Sequence, residues 1–137
     1  MSIKAIKIIP FKSVNEVDFG TNRKELWKKM WTPKDSFKKI IDDIVDTDDY
    51  EMFHIFYNDN YMFEAIEVFD ELDIYYNNVK LPQKYSQLLK YFKSIYDDIE
   101  EDECGFISKI GSIGVYIEND EDRIDSILFG RKDYYNE

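Results

Sequence analysis

Tyr50-Glu-Met-Phe-His-Ile-Phe-Tyr57 and Tyr61-Met-Phe-Glu-Ala-Ile-Glu-Val-Phe69, joined by Asn58-Asp59-Asn60, decide the fold of this chain. Both runs are aromatic and β-branched, and the link between them is made of turn residues, so the segment predicts a β-hairpin. The alternation is incomplete. Phe53, Ile55 and Tyr57 are set against Met52 and Phe56 on the first run, and Ile66 and Val68 against Phe63, Ala65 and Phe69 on the second. A strand covered on one side only would alternate more cleanly. These strands are therefore expected at the centre of a sheet, with helices on one face and more chain or a partner on the other.

Working outward, residues 3–9 are rich in β-branched side chains and end at Pro10, which predicts a strand. Phe19-Gly20-Thr21-Asn22 is a turn into a helix over residues 22–31, with Thr21 as the expected N-cap and Leu26, Trp27, Met30 and Trp31 as its apolar stripe. Pro33 stops it. A short strand is expected over 37–41 and an acidic loop over 42–49. A strand over 74–76 turns at Asn77-Asn78. A second helix is expected from 82 or 83 to 97, with Pro82 near its start and Leu88, Leu89, Phe92, Ile95, Tyr96 and Ile99 on its apolar face. Strands at 105–108, 113–117 and 124–129 complete the pattern. Strands in runs, separated by two helices, predict an α+β fold: a mainly antiparallel sheet of about six to eight strands with two main helices packed on it. The 137 residues hold no linker and no repeat, so a single domain over 1–137 is expected.

The charge is strongly asymmetric. The chain carries 18 basic and 29 acidic side chains, a net −11. Residues 1–40 hold ten Lys or Arg against four Asp or Glu, whereas 41–137 hold eight against 25. Residues 97–103, Asp-Asp-Ile-Glu-Glu-Asp-Glu, place six carboxylates in seven positions. Asp42, Asp43, Asp46, Asp48, Asp49 and Glu51 form a second cluster, and Glu118, Asp120, Glu121 and Asp122 a third. Carboxylates at the end of a helix over 82–97 would oppose its dipole, by roughly 0.3–1 kcal/mol each. Either that helix ends early, or the charge serves something other than stability. Such a balance fits attraction to a basic partner and disfavours direct nucleic-acid binding, which needs a basic stripe. Only Lys24, Lys28 and Lys29, with Lys34, Lys38 and Lys39, offer one.

Chemistry is sparse. His54 is the only histidine and Cys104 the only cysteine. No intramolecular disulfide and no structural zinc site can form within one chain. Carboxylates flank Cys104, which disfavours its thiolate. Glu64 and Glu67 are the best-placed acids for hydrolysis, yet a spacing of three puts them on opposite faces of a regular strand. Residues 98–105 resemble a calcium loop superficially, but the glycine is two places late and Lys109 stands where the bidentate glutamate belongs. There is no phosphate-binding or dinucleotide motif. The expectation is no enzyme, no cofactor and no metal. Neither a signal peptide nor a membrane span is read, so a cytoplasmic protein is expected.

Three segments carry a family likeness: Phe19-Gly20-Thr21-Asn22-Arg23-Lys24-Glu25, Glu64-Ala65-Ile66-Glu67-Val68-Phe69, and Gly105-Phe106-Ile107-Ser108 followed by Gly114-Val115-Tyr116. Together they resemble small bacterial immunity proteins found beside polymorphic toxins. The resemblance implies a protein that binds and blocks a cognate toxin. It carries over no site residue, and the chain departs from the pattern after Gly20 and at Lys24.

Charge and resemblance lead to one expectation. An acidic protein-binding inhibitor would occlude a cognate toxin, or another basic protein, by steric and electrostatic blockade. Its expected contact residues are Asp97, Asp98, Glu100, Glu101, Asp102 and Glu103, supported by Asp46, Asp48 and Asp49, with Tyr50 and Tyr96 as aromatic anchors. The alternatives are a nucleic-acid mimic directed at a DNA-binding protein and a self-associating module that forms a homodimer through an apolar sheet face.

Overall fold

The structure is a computed structural model that describes residues 3–69, 72–117 and 122–136. In chain order the elements are β1 (Ala5–Ile9), β2 (Ser13–Val14), β3 (Val17–Asp18), α1 (Arg23–Met30), β4 (Asp35–Phe37), β5 (Thr47–Asp49), β6 (Phe53–Tyr57), β7 (Phe63–Phe69), β8 (Asp73–Tyr76), β9 (Val79–Lys80), α2 (Tyr85–Lys93), β10 (Glu100–Asp102), β11 (Gly105–Ser108), β12 (Ile113–Ile117) and β13 (Ile124–Gly130). The α+β class is as expected. The single sheet of six to eight strands is not. The strands form two sheets, one of five in the order β3-β2-β1-β8-β9 and one of eight in the order β10-β11-β12-β13-β7-β6-β5-β4. Every pairing is antiparallel except β1 with β8. Most of the added strands are two or three residues long and polar, too short to show a period in the sequence.

The predicted hairpin is β6–β7, near the middle of the larger sheet. Its turn is held by Asn58, whose Oδ1 accepts from the N–H groups of Asn60 at 2.9 Å and Met62 at 3.1 Å. Asn77 and Asn78 both take left-handed backbone (φ 52° and 68°), the geometry that closes the tight β8–β9 hairpin. Asn22, rather than Thr21, caps α1: its side chain accepts from the Lys24 N–H at 2.9 Å.

One apolar core serves both sheets and both helices. Ile6, Ile8 and Tyr76 of the smaller sheet, Leu26 and Met30 of α1, Leu88 and Phe92 of α2, and Ile55, Phe63, Ile66 and Phe129 of the larger sheet share it. Tyr76 stacks on Phe129 across the sheets, with ring centroids 5.8 Å apart. The opposite face of the larger sheet carries a second cluster of Phe56, Ala65 and Leu128, packed against Tyr116, Tyr134 and Tyr135. More chain covers the hairpin there, which is why its strands are apolar on both faces.

Two close approaches fix this packing. A Cβ on Gly130 would lie 2.6 Å from Cβ of Tyr134, so the glycine seats that tyrosine against the sheet. Gly105 opens β11 with φ 136°, and a Cβ there would lie 1.9 Å from the Val115 carbonyl oxygen. Gly20 also has positive φ (93°) but faces open space. Gly105→Ala is therefore expected to destabilise by more than about 2 kcal/mol, because backbone clash adds to strain. Gly20→Ala is expected to lose only about 1 kcal/mol, from strain alone. Urea unfolding midpoints of the two variants, at an unchanged slope, check the difference.

Candidate partner-binding surface

The acidic run begins where α2 has already finished. The helix ends at Lys93, with Lys90 and Lys93 in its last turn, and the Ser94 N–H closes it onto the Lys90 and Tyr91 carbonyls at 3.2 and 3.0 Å. The expected helix to residue 97 is thus shortened by a turn. The dipole meets two lysines instead of the carboxylates. The run continues into β10, an edge strand paired only with β11, in the register Glu100 with Ile107, Glu101 with Phe106 and Asp102 with Gly105.

The carboxylates of this run divide by task. Asp98 is structural. Its carboxylate accepts from the Ser108 hydroxyl at 2.6 Å and the Ile110 N–H at 2.8 Å, tying the start of the run to the β11–β12 turn. Asp102 accepts from the Cys104 N–H at 2.8 Å and so shapes the β10–β11 turn, and Glu101 accepts from the Tyr85 hydroxyl at 3.1 Å. Asp97, Glu100, Glu101, Asp102 and Glu103 are all exposed, and among the described residues none of them pairs with a lysine or arginine. Glu100, Glu101 and Asp102 line a recess of about 270 Å³ together with Cys104, Phe106 and Tyr116.

The second cluster lies elsewhere. β5 carries Asp48 and Asp49 near the opposite edge of the same sheet, with five strands between it and β10. At about 4.8 Å per strand, the two segments are roughly 29 Å apart measured across the sheet. Of the third cluster, Glu118, Asp120 and Glu121 lie outside the described residues. Asp122 caps α2 from a distance, accepting from the Ser86 N–H at 2.6 Å and its hydroxyl at 2.7 Å.

Asp48 is not a surface residue. Its side chain is 0% exposed. It accepts from Arg23 through Nε at 3.2 Å and Nη2 at 2.5 Å, from Trp27 Nε1 at 2.8 Å and from the Tyr57 hydroxyl at 2.6 Å. The guanidinium in turn lies over the rings of Trp27 at 4.6 Å and Tyr61 at 4.8 Å. The buried carboxylate accepts four hydrogen bonds, three at Oδ2 and one at Oδ1, the kind of compensation that a charge removed from water requires. The expectation that Asp48 meets a partner is corrected on this ground. Arg23 and Trp27 sit one helical turn apart on α1, but nothing local in the sequence points to Asp48 as their target.

The two expected anchor tyrosines are also used internally. Tyr50 is buried, stacks on Phe53 at 4.8 Å and donates its hydroxyl to the Trp31 carbonyl at 2.8 Å. Tyr96 hydrogen-bonds the Tyr76 hydroxyl at 2.5 Å and lies against Gly111, where a Cβ would come within 2.7 Å of its ring. Neither is available as an exposed anchor. Asp46 and Asp49 remain part-exposed, paired with Lys38 at 3.3 Å and His54 at 3.5 Å.

Glu64 and Glu67 were expected on opposite faces. A bulge changes this: Phe56 pairs with Ala65 but Tyr57 pairs with Phe63, which leaves Glu64 as the extra residue on β7. Both carboxylates then act on Tyr134, whose hydroxyl is pushed up to about 12, first by burial and then by Glu64 and Glu67. Each is engaged, Glu64 with Arg131 at 3.0 Å and Glu67 with the Ser126 hydroxyl at 2.7 Å. Among the described residues, no group of three or more His, Cys, Asp or Glu is positioned to hold a metal ion. No helix of the described residues is long and apolar enough to cross a membrane.

No protein-family model matches the chain, and no curated protein or solved structure is significantly similar to it.

Two stability measurements check the division of the acids. Asp48→Ala leaves the part-buried Arg23 guanidinium and the Trp27 and Tyr57 donors without their partner, and is expected to destabilise by about 3 kcal/mol. Glu103→Gln, at an exposed position, is expected to stay within about 0.5 kcal/mol. The second measurement is pH dependence. Burial pushes the Asp98 carboxyl up, but the Ile110 N–H and Ser108 hydroxyl outweigh it and hold the group below the ordinary 3.8. A depressed carboxylate stabilises the fold above its unfolded value, and that contribution is lost as pH falls through the folded value. Asp98→Ala is therefore expected to be less stable than wild type by about 1–2 kcal/mol at neutral pH. The gap should close as the pH falls below 3.8, followed by urea midpoints across the acid range.

Proposed function

We propose that this protein is a stoichiometric, non-catalytic inhibitor of the immunity type, which binds a basic protein partner such as a toxin encoded beside it. The observation that carries the proposal is the β10–β11 hairpin: Asp97, Glu100, Glu101, Asp102 and Glu103 are exposed, and among the described residues none of them pairs with a lysine or arginine. Unlike Asp48, Asp98 and Asp122, these side chains are not all explained by what they hold together. Their charge is free to act over the range of a Debye length, about 8–10 Å at ordinary salt, and to steer a basic surface toward the hairpin. The recess there is lined by Glu100, Glu101 and Asp102 together with Cys104, Phe106 and Tyr116, so carboxylates stand beside less polar groups. That combination suits a lysine or arginine, whose apolar stem and charged head need different surroundings.

Binding in this reading blocks the partner by covering its basic cleft, with no bond made or broken. The immunity resemblance of the three sequence segments supports the same conclusion, and the lone thiol Cys104 suits a reducing cytoplasm. Nucleic-acid mimicry is less favoured, because a phosphate-like array needs one continuous line of charge and the two described acidic segments stand near opposite edges of a sheet.

The test is association of the purified chain with the purified product of the neighbouring gene, followed by stopped flow at low and high salt. A one-to-one complex that silences the partner is expected, with an association rate that falls steeply as salt rises. Reversing Asp97, Glu100 and Glu103 to lysine should slow association at least about tenfold while leaving the fold intact. Absence of a complex, or a complex indifferent to both salt and charge reversal, contradicts the proposal.

A further inference from the structure

The β4–β5 hairpin exposes apolar side chains that the fold does not need. Ile40, Ile41 and Ile44 are 63%, 92% and 67% exposed, within five residues of one another, and Phe37 at the base of the same loop is 39% exposed. Scattered exposed aliphatics are ordinary, but a contiguous group is not. Phe11, Trp31, Val79, Ile95 and Ile110 are exposed elsewhere, at 37–58%, but among the described residues only this loop places three exposed isoleucines within five residues.

The loop is also held in shape. The Asp43 carboxylate accepts from the Ile40 N–H at 2.9 Å, and the Asp43 N–H donates to the Ile40 carbonyl at 3.1 Å, which closes a turn with Ile41 and Asp42 at its tip. Below the turn, Lys38 pairs with Asp46 at 3.3 Å, and the Asp46 N–H donates to the Tyr61 hydroxyl at 2.9 Å. Lys39 lies over the Phe56 ring at 4.2 Å, which anchors the other strand of the loop to the outer sheet face. A pre-ordered apolar tip loses little conformational freedom on binding, the property expected of an interface anchor.

The surroundings select the occupant. Leaving out the buried Asp48, residues 34–51 carry three lysines and six carboxylates, so the isoleucines sit inside an acidic rim. A second copy of the chain would bring the same rim to the same place in a two-fold contact, and like charges would oppose it. An anionic membrane surface is opposed by the same charge and by the net −11 of the chain. An apolar recess bordered by lysine and arginine on a basic protein satisfies both the tip and the rim. Resting on the proposed inhibitor reading, we infer that Ile40, Ile41 and Ile44 are the apolar anchor that this protein inserts into its basic partner. The acidic hairpin at the far edge of the sheet then governs how fast the two meet, and the isoleucine tip governs how long they stay together.

The experiment measures association and dissociation rates with the purified product of the neighbouring gene. It compares the wild type, an Ile40→Ser/Ile41→Ser/Ile44→Ser variant, and the Asp97→Lys/Glu100→Lys/Glu103→Lys variant. All three isoleucines face water, so the serine variant should keep the wild-type unfolding midpoint, which confirms that it folds. Its dissociation is expected to quicken about 100-fold with association within about threefold, the pattern of a lost hot spot. The charge-reversed variant should show the opposite split. A wild-type complex with an unchanged serine variant overturns the anchor while the inhibitor reading stands. No wild-type complex at either salt overturns the inhibitor reading and the anchor with it. Sedimentation of the chain alone and flotation with phosphatidylcholine and phosphatidylglycerol vesicles complete the test. Isoleucine-dependent dimers or vesicle binding would assign the tip to a different occupant and overturn the inference, and a monomer that stays off vesicles supports it.

Discussion

The buried pair of Arg23 and Asp48 is the constraint on which the arrangement of one end of this molecule depends. A carboxylate with 0% exposure is tolerable only if it is hydrogen-bonded, and here four donor groups from three side chains bond it. Those donors come from α1 and β6, and the carboxylate from β5. The pair therefore fixes the helix against the larger sheet at a defined angle and register. Tyr61, beyond the hairpin turn, lies over the guanidinium at 4.8 Å and also accepts from the Asp46 N–H at the foot of the isoleucine loop. The geometry of the buried charge thus reaches the exposed tip through two side chains.

The acidic residues of this chain perform three kinds of work. Asp48 organises the interior. Asp98 and Asp122 close local structure, one tying a loop to a turn and the other capping a helix that has no cap of its own, since Lys84 at that position makes no side-chain bond. The carboxylates on the β10–β11 hairpin remain, and they lie on a sheet edge. Charge on an edge strand also guards against pairing with other chains, a role these carboxylates can fill beside the proposed recognition. The two roles differ in what they require of a partner: edge protection is indifferent to one, and steering depends on its charge.

Much of the fold was legible because it is local. The hairpin of residues 50–69 shows its turn and its two apolar runs in the sequence, and the Asn77-Asn78 turn shows its left-handed residues. The misreadings have long-range or cooperative causes. Arg23 and Asp48 are 25 residues apart, and no periodicity links them. The bulge that brings Glu64 and Glu67 to one face is a property of strand pairing and not of β7 alone. Tyr50 and Tyr96 look like surface anchors beside their acidic neighbours, yet both hydroxyls find partners inside, at the Trp31 carbonyl and at Tyr76. The early end of α2 leaves little mark beyond Ser94, because the apolar pattern continues through Ile95, Tyr96 and Ile99 into the connection to β10. The exposed isoleucines were visible as residues, but only the structure distinguishes a loop tip from a buried short strand.

In the proposed reading the acidic hairpin and the isoleucine tip of one sheet meet a basic partner, whose charge would keep the lysines of α1 outside the contact. Hydrogen–deuterium exchange of the chain, free and in complex with the purified product of the neighbouring gene, tests it most directly. The account predicts slowed exchange over residues 37–46 and 99–108, with the exposed face of α1 unchanged. Protection confined to residues 23–31, with both acidic segments exchanging as in the free chain, would contradict it.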